Sequence, residues 1–306
     1  MTSSIFCMSQ HYIHLYITSS YNYTPSPQAI TQPPNIPTVK MSTPKYTNKL
    51  HAKNVLVLGG TSGIGFCVAE AALEYGATIT VSGSREAKLS LALSRLRTTL
   101  PPSSPSSLVS GKTCDLADPT TLESNLDALL RFATADGTRP LDHIVYTAGD
   151  AIAVVPVSQA TPADVAATLA VRFVAPVILA KLVPRYVRQS SESSLTLTSG
   201  VGSWKPPRDW AIIAGVGSGV EGLTRGFAVD LMPVRVNAVA PGAVHTEIFD
   251  FIPKEQLEAF LESHRKGSLT GTIGKPQDCA EAYLYCMRDY FVTGEVVATN
   301  GGKLLA

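Results

Sequence analysis

From Asn54 onward, short apolar runs recur between longer segments in which apolar and polar residues mix at helical spacing. Residues 55–58 (VLVL) form a continuous apolar run, the pattern of a parallel strand buried on both faces. A glycine-rich turn follows, then a helical segment through Tyr75 that Gly76 ends. ATITVSGS (77–84) reads as a second strand and 85–97 as a second helix, before a solvated PPSSPSS loop at 101–107. LVSGKTCDL (108–116) and LDHIVYTAG (141–149) are the third and fourth strands, with a helix over 119–132 between them. A long helix ending near Val187 leads into the strand SLTLTSG (194–200). Another helix lies within 208–231, and VRVNAVAPG (234–242) and FVTGEVVATNGG (291–302) are the remaining strands. Strands alternating with helices of roughly 10–15 residues predict an α/β chain: one domain, a doubly wound parallel sheet and right-handed crossovers. No internal repeat interrupts the series.

The 306-residue chain has a formal net charge of +1, 45% apolar and 16% charged residues, ample for a buried core. Near-neutral charge without a basic stripe gives no support to nucleic-acid binding, and no membrane partner is expected because no apolar run approaches the roughly 18 residues a span needs. Cys7, Cys67, Cys114, Cys279 and Cys286 are an odd number at scattered spacing, so they read as reduced thiols of a cytoplasmic protein. With six scattered histidines, they suggest no metal site. The first part of the chain has a different character, rich in Ser, Thr, Tyr and Pro and uncharged before Lys40. It lacks the basic start and unbroken apolar core of a signal peptide, and the absence of arginine argues against a mitochondrial presequence. Residues 1–50 are therefore expected to be a disordered or start-site-derived extension, with Met41 resembling an ordinary N-terminus, and 51–306 to be the folded unit.

LGGTSGIG (58–65) lies between a buried strand and a helix. Gly59, Gly63 and Gly65 permit a tight turn, close approach of backbone to a pyrophosphate and close packing of helix on strand, while Thr61, Ser62 and Ile64 complete a loop whose helix N-terminus offers free N–H groups. This makes the fold a Rossmann-type one. At the end of the second strand a carboxylate would select NAD, but the chain has SGSR there. Ser84 and Arg85 suit a ribose 2′-phosphate, which arginine meets with paired charge-assisted bonds, so the cofactor expected is NADPH/NADP+.

Together and in this order, these motifs resemble those of the short-chain dehydrogenase/reductase family from about Asn54 to Leu305. LGGTSGIG is similar to the family's Thr-Gly-x-x-x-Gly-Ile-Gly loop, with Leu58 in the threonine place. The resemblance gives Asp115 and Leu116 of CDL the adenine side, and Ala148 and Gly149 of YTAG the segment after the fourth strand. It gives Pro241, Gly242, Val244 and Thr246 of RVNAVAPGAVHT the nicotinamide end, and TNGG (299–302) the closing turn. It also implies a homodimer or homotetramer built on the two long helices.

The catalytic side departs from that family. Aligning VEGLTR places Ile213 and Gly217 where the proton-donating Tyr and its Lys would stand, Arg172 about where an Asn is expected, and Ser199 near the Ser. Neither Ile nor Gly can give or take a proton. Ketone reduction builds an alkoxide and needs an acid, whereas hydride delivered to an iminium discharges a cation and needs none. A carboxylate near that cation would hold it by charge pairing. Just before the altered helix, KPPRDW (205–210) offers Asp209 as such a carboxylate and Trp210 as a flat wall for stacking, with Arg172 positioned to pair with Asp209 or to hold a substrate oxygen. This loop and arginine resemble those of the fungal reductase/Diels–Alderase enzymes of prenylated indole alkaloid pathways, the malbrancheamide and paraherquamide type. That resemblance implies reduction of a prenylated, dipeptide-derived cyclic iminium or zwitterion, then intramolecular (4+2) cycloaddition to a bicyclic diazaoctane in the same pocket. Asp209, Arg172 and Trp210 would be its catalytic residues. Two alternatives stand beside it: a carbonyl reductase whose acid is relocated to Tyr146 or His245, and a non-catalytic NADPH-binding scaffold.

Overall fold

The computed structural model describes residues 45–249 and 252–306. Seven strands form one sheet: β1 (Asn54–Leu58), β2 (Thr78–Ser82), β3 (Val109–Gly111), β4 (His143–Tyr146), β5 (Ser194–Thr198), β6 (Arg235–Pro241) and β7 (Val296–Thr299). All six pairings are parallel, and the spatial order is β3-β2-β1-β4-β5-β6-β7. The order reverses between β1 and β4, so a crevice opens outside the strands' C-terminal ends there. Among the described residues the α-helices are α1 (Gly63–Glu74), α2 (Glu86–Thr98), α3 (Leu122–Thr134), α4 (Pro162–Leu169), α5 (Ala175–Tyr186), α6 (Ala211–Asp230), α7 (Lys254–Lys266) and α8 (Pro276–Arg288).

The VLVL run behaves as its pattern demands. Successive side chains leave a strand on opposite faces, so Leu56 and Leu58 enter the core beneath α3 and α5, while Val55 and Val57 enter the core beneath α1, α2 and α8. The doubly wound parallel sheet is thus the one expected. Differences lie at the edges. β3 keeps only 3 residues of its predicted run, and β7 only 4. The sequence pattern left α7 and α8 unassigned; Pro276 opens α8 at its first turn, where the missing N–H costs no helical bond.

The expectation for residues 1–44 lies outside the described residues, as does Cys7. Residues 45–50, placed with that extension by the boundary at 50, instead join the fold: Leu50 is fully buried and the Lys49 ammonium donates to the Arg288 carbonyl at 2.7 Å. Cys67, Cys114, Cys279 and Cys286 are buried free thiols, and burial pushes them up to about 11, 11, 12 and 12 respectively. The apolar-run expectation also needs correction. The stretch Pro162–Tyr186, formed by α4, the turn Ala170–Val174 and α5 without interruption, is long and apolar enough to cross a bilayer by length and composition. Its buried stripe, including Ala175, Leu179 and Val183, packs into the core beside α3.

Candidate active site

The cofactor loop is shaped first by contacts within the protein. A Cβ at Gly65 would lie 2.3 Å from the Thr147 hydroxyl and 2.4 Å from the Gly59 carbonyl oxygen, and one at Gly59 would lie 2.6 Å from the Ala148 nitrogen. The loop after β1 therefore presses directly on the loop after β4, bringing Gly59, Ala148 and Gly149 to one crevice. Gly63 has φ +53°, and a Cβ there would meet the Thr246 side chain at 3.2 Å, so the segment after β6 reaches the start of α1. Thr61 packs on Gly83 at the end of β2. Ser62 stands at the N-cap with extended backbone but makes no side-chain cap, so the first-turn N–H groups of Gly63, Ile64 and Gly65 keep their donor capacity for an anion. Ser84 and Arg85 are exposed just beyond β2. Asp115 is exposed and accepts from the Ala117 nitrogen at 2.9 Å, while Leu116 is buried beneath it. Pro241 ends β6, Gly242 packs on Asn300 of the closing turn, and Val244 is buried. These residues fit a dinucleotide: an uncapped helix N-terminus for the pyrophosphate, and a hydroxyl with a guanidinium for a 2′-phosphate.

On the catalytic side, the long helix breaks its register where the chemistry would lie. Ala170–Val174 form a π turn between α4 and α5, a feature frequent at functional sites. The turn carries Arg172, whose guanidinium lies against Gly149 and donates to the Asp150 carbonyl. Burial pushes Arg172 below its ordinary value and the Asp150 carboxylate works against that shift. Of the two roles open to Arg172, pairing with Asp209 is not among the ion pairs of the described residues. A half-buried guanidinium needs acceptors close at hand, and the loop after β4 supplies them.

Asp209 is exposed at φ +66°, in the left-handed region that Asp tolerates better than most residues, and it makes no hydrogen bond or ion pair among the described residues. Trp210 follows at the N-cap of α6, half-buried, with its six-membered ring packed over Gly202. Ile213 and Gly217 lie on α6 as aligned. A Cβ at Gly217 would stand 2.1 Å from the Ser203 hydroxyl oxygen, so the space where a longer side chain would start is filled.

Tyr146 is buried in β4 and donates its hydroxyl to the Val171 carbonyl at 2.5 Å, a carbonyl within the π turn. Burial raises the phenol well above its usual range. A committed, buried phenol is not the relocated acid the carbonyl-reductase alternative requires. His245 is exposed, and its backbone N–H donates to the Gly274 carbonyl at 2.9 Å.

The sequence pattern gave no role to Glu221, which the structure ties to this site. It is buried on α6, one turn beyond Gly217, and its carboxylate accepts from the Ser199 hydroxyl at 2.9 Å and from the Trp204 indole N–H at 2.8 Å. Its spacing of four from Gly217 was the available signal, since residues so spaced share a helix face.

Residues 46–306 match the family described as an SDR-like Rossmann domain. Short-chain dehydrogenase/reductase malC of Malbranchea aurantiaca is 46% identical over 256 residues, covering 84% of this chain and 96% of that protein. Short-chain dehydrogenase/reductase fsr5 of Gibberella fujikuroi is 40% identical over 264 residues, covering 86% and 98%. The solved structure of the MalC reductase/Diels–Alderase superposes with TM-score 0.81 at 45% identity, over 85% of this chain and 100% of that one. A small-chain dehydrogenase solved with NADPH superposes with TM-score 0.64 at 25% identity, over 83% and 100%.

Proposed function

The chain belongs to the short-chain dehydrogenase/reductase family and is an oxidoreductase, and from that premise we propose that it reduces a cyclic iminium or zwitterionic indole dipeptide with NADPH and then guides the product through an intramolecular (4+2) cycloaddition. The observation that carries this reading is the loss of the Tyr–Lys proton donor from α6. α6 presents Ile213 and Gly217, and the nearby phenol of Tyr146 is committed to Val171. The resemblance of nearly the whole chain to the MalC reductase/Diels–Alderase supports the same substrate class. The exposed Ser84 and Arg85 favour NADPH over NADH.

When bound, NADPH would supply the hydride that turns the iminium carbon–nitrogen double bond into a neutral amine, and the conjugated C=N–C=C unit that remains in the reduced ring would be the azadiene of the cycloaddition. Gly63, Ile64 and Gly65 present the N–H groups that hold the pyrophosphate, and Thr246, beside Gly63, marks the nicotinamide end. Asp209 pairs with the substrate cation, and the left-handed backbone at this residue fixes where the loop delivers its carboxylate. Arg172, anchored at the Asp150 carbonyl, directs its remaining N–H groups to a substrate oxygen. Trp210 provides the wall on which an aromatic ring stacks, and in the second step shape alone keeps diene and dienophile in a near-attack arrangement.

We also propose a cytoplasmic homodimer or homotetramer, in which the apolar helix Pro162–Tyr186, with α6, covers its unburied face against a second subunit. Single-turnover incubation of the NADPH complex with a prenylated zwitterionic indole dipeptide tests the function. Loss of NADPH absorbance with formation of a bicyclic product is expected; no hydride transfer would refute it.

A further inference from the structure

Glu221 raises a question of charge. Buried carboxylates are almost always paired with a cation, because desolvation otherwise opposes the charged form. Glu221 has neutral hydroxyl and indole donors, and among the described residues no ion pair includes it. Its place is not remote. Ser199 directly follows β5, at the C-terminal edge of the sheet where this architecture binds its ligands, and Trp204 opens the loop that ends in Asp209 and Trp210.

The Ser199 hydroxyl has a single proton and three oxygens within reach: Glu221 at 2.9 Å, Ser203 at 3.2 Å and the Gly217 carbonyl at 3.2 Å. The carboxylate is the strongest acceptor of the three and takes that proton. Ser199 then keeps its lone pairs as acceptors, one of them within 3.2 Å of the Ser203 hydroxyl, backed by a negative charge one hydrogen bond away. The side of the site beside Gly217 therefore carries a carboxylate that forms no ion pair among the described residues.

We infer that Glu221 is a specificity-determining residue: through Ser199 it presents a negative field to the pocket and selects cationic over isosteric neutral ligands. This rests on the proposed reading of the substrate as a cation, and adds a second, buried anion to the exposed Asp209. Glu221 stabilises positive charge by its field, with Ser199 as the group turned to the ligand, and takes no proton.

The test uses enzyme loaded with NADP+, so that binding is measured without turnover. The probes are permanently charged N-methyl-3,4-dihydroisoquinolinium and neutral 1-tetralone. Glu221→Gln is close to isosteric and keeps an acceptor for the indole. It is expected to weaken binding of the cation about tenfold and to leave 1-tetralone and NADPH within twofold. Ser199→Ala, which removes the intervening hydroxyl, is expected to reduce the cation preference in the same direction and serves if the glutamine variant does not fold. Equal losses for both probes, no loss for either, or a wild-type enzyme that does not prefer the cation overturns the inference. Hydride transfer from NADPH to the same cation is followed separately. Its absence alongside the tenfold difference refutes the reductase reading alone, and its presence without the difference refutes only the role of Glu221.

Discussion

Gly217 is the position where the departure from a Tyr–Lys site can be tested as packing. A Cβ there would lie 2.1 Å from the Ser203 hydroxyl oxygen, 3.4 Å from the Ser203 Cβ and 3.5 Å from the Ser199 hydroxyl oxygen. Only the first distance is prohibitive, and only that oxygen has to move. Turning Ser203 away breaks its 3.2 Å bond to Ser199, at a cost of about 1 kcal/mol. Residual overpacking adds about 1–3 kcal/mol. Alanine returns about 1 kcal/mol of helix propensity over glycine. Gly217→Ala alone should therefore destabilise by about 1–3 kcal/mol, lowering Tm by roughly 4–8 °C for a 2 kcal/mol loss in a domain of this size. In a Ser203→Ala background the offending oxygen is gone, and the same change should be neutral or stabilising by up to about 1 kcal/mol. Urea unfolding of the four proteins, followed by circular dichroism, gives the coupling as a double-mutant cycle. A coupling near 2 kcal/mol supports the packing account, while additivity within about 0.5 kcal/mol refutes it. By the same geometry, Ile213→Tyr with Gly217→Lys should not restore ketone reduction while Ser203 is present.

Three further outcomes follow from particular residues. Tyr146→Phe should leave the single-turnover rate with an iminium unchanged and cost about 1 kcal/mol of stability through the lost bond to Val171; a large drop in rate would revive Tyr146 as an acid. Arg85→Ala should weaken NADPH by about tenfold with little effect on NADH, and raising salt should diminish the difference; equal losses for both cofactors would remove Arg85 from the 2′-phosphate. His143 is fully buried and held down to about 3, by burial first and by Arg235 and Lys53 next. Its folded value lies below its ordinary 6.5, so stability is complete above pH 6.5 and is lost as pH falls towards 3, by about 2 kcal/mol at pH 5. His143→Asn should flatten the stability–pH curve between pH 6.5 and 4.5, and an unchanged slope would sink the assignment.

Much of the frame was legible because local patterns carry it. Val55–Leu58 alternates between two cores, as a buried parallel strand must, and the glycines at 59, 63 and 65 mark a turn in which close contacts leave no room for a Cβ at Gly59 and Gly65 and Gly63 takes a left-handed φ. The failures are places where distant contacts decide. A π turn adds a residue to one helical turn, and hydrophobic spacing does not register that addition. Sequence spacing left Arg172 free to pair with Asp209 or to hold a substrate oxygen, and it donates to the loop at Asp150. Glu221 reads as a solvated helix position until Ser199 and Trp204, 22 and 17 residues earlier, close over it. Residues 45–50 carry no strand or helix pattern of their own, yet Leu50 finds a place in the core beneath α1 and α8.

The claim at the centre of this account is that the site delivers hydride to a cation held by Asp209 and does so without a protein acid. The direct measurement is the pre-steady-state rate of NADPH oxidation with an iminium and with a ketone of matching shape, in the wild-type enzyme and in Asp209→Asn. The account predicts oxidation with the iminium only, independent of pH while the substrate stays charged, and a fall of at least tenfold in the variant with NADPH affinity retained. Faster turnover of the ketone, or an Asp209→Asn enzyme as fast as wild type on the iminium, would contradict it.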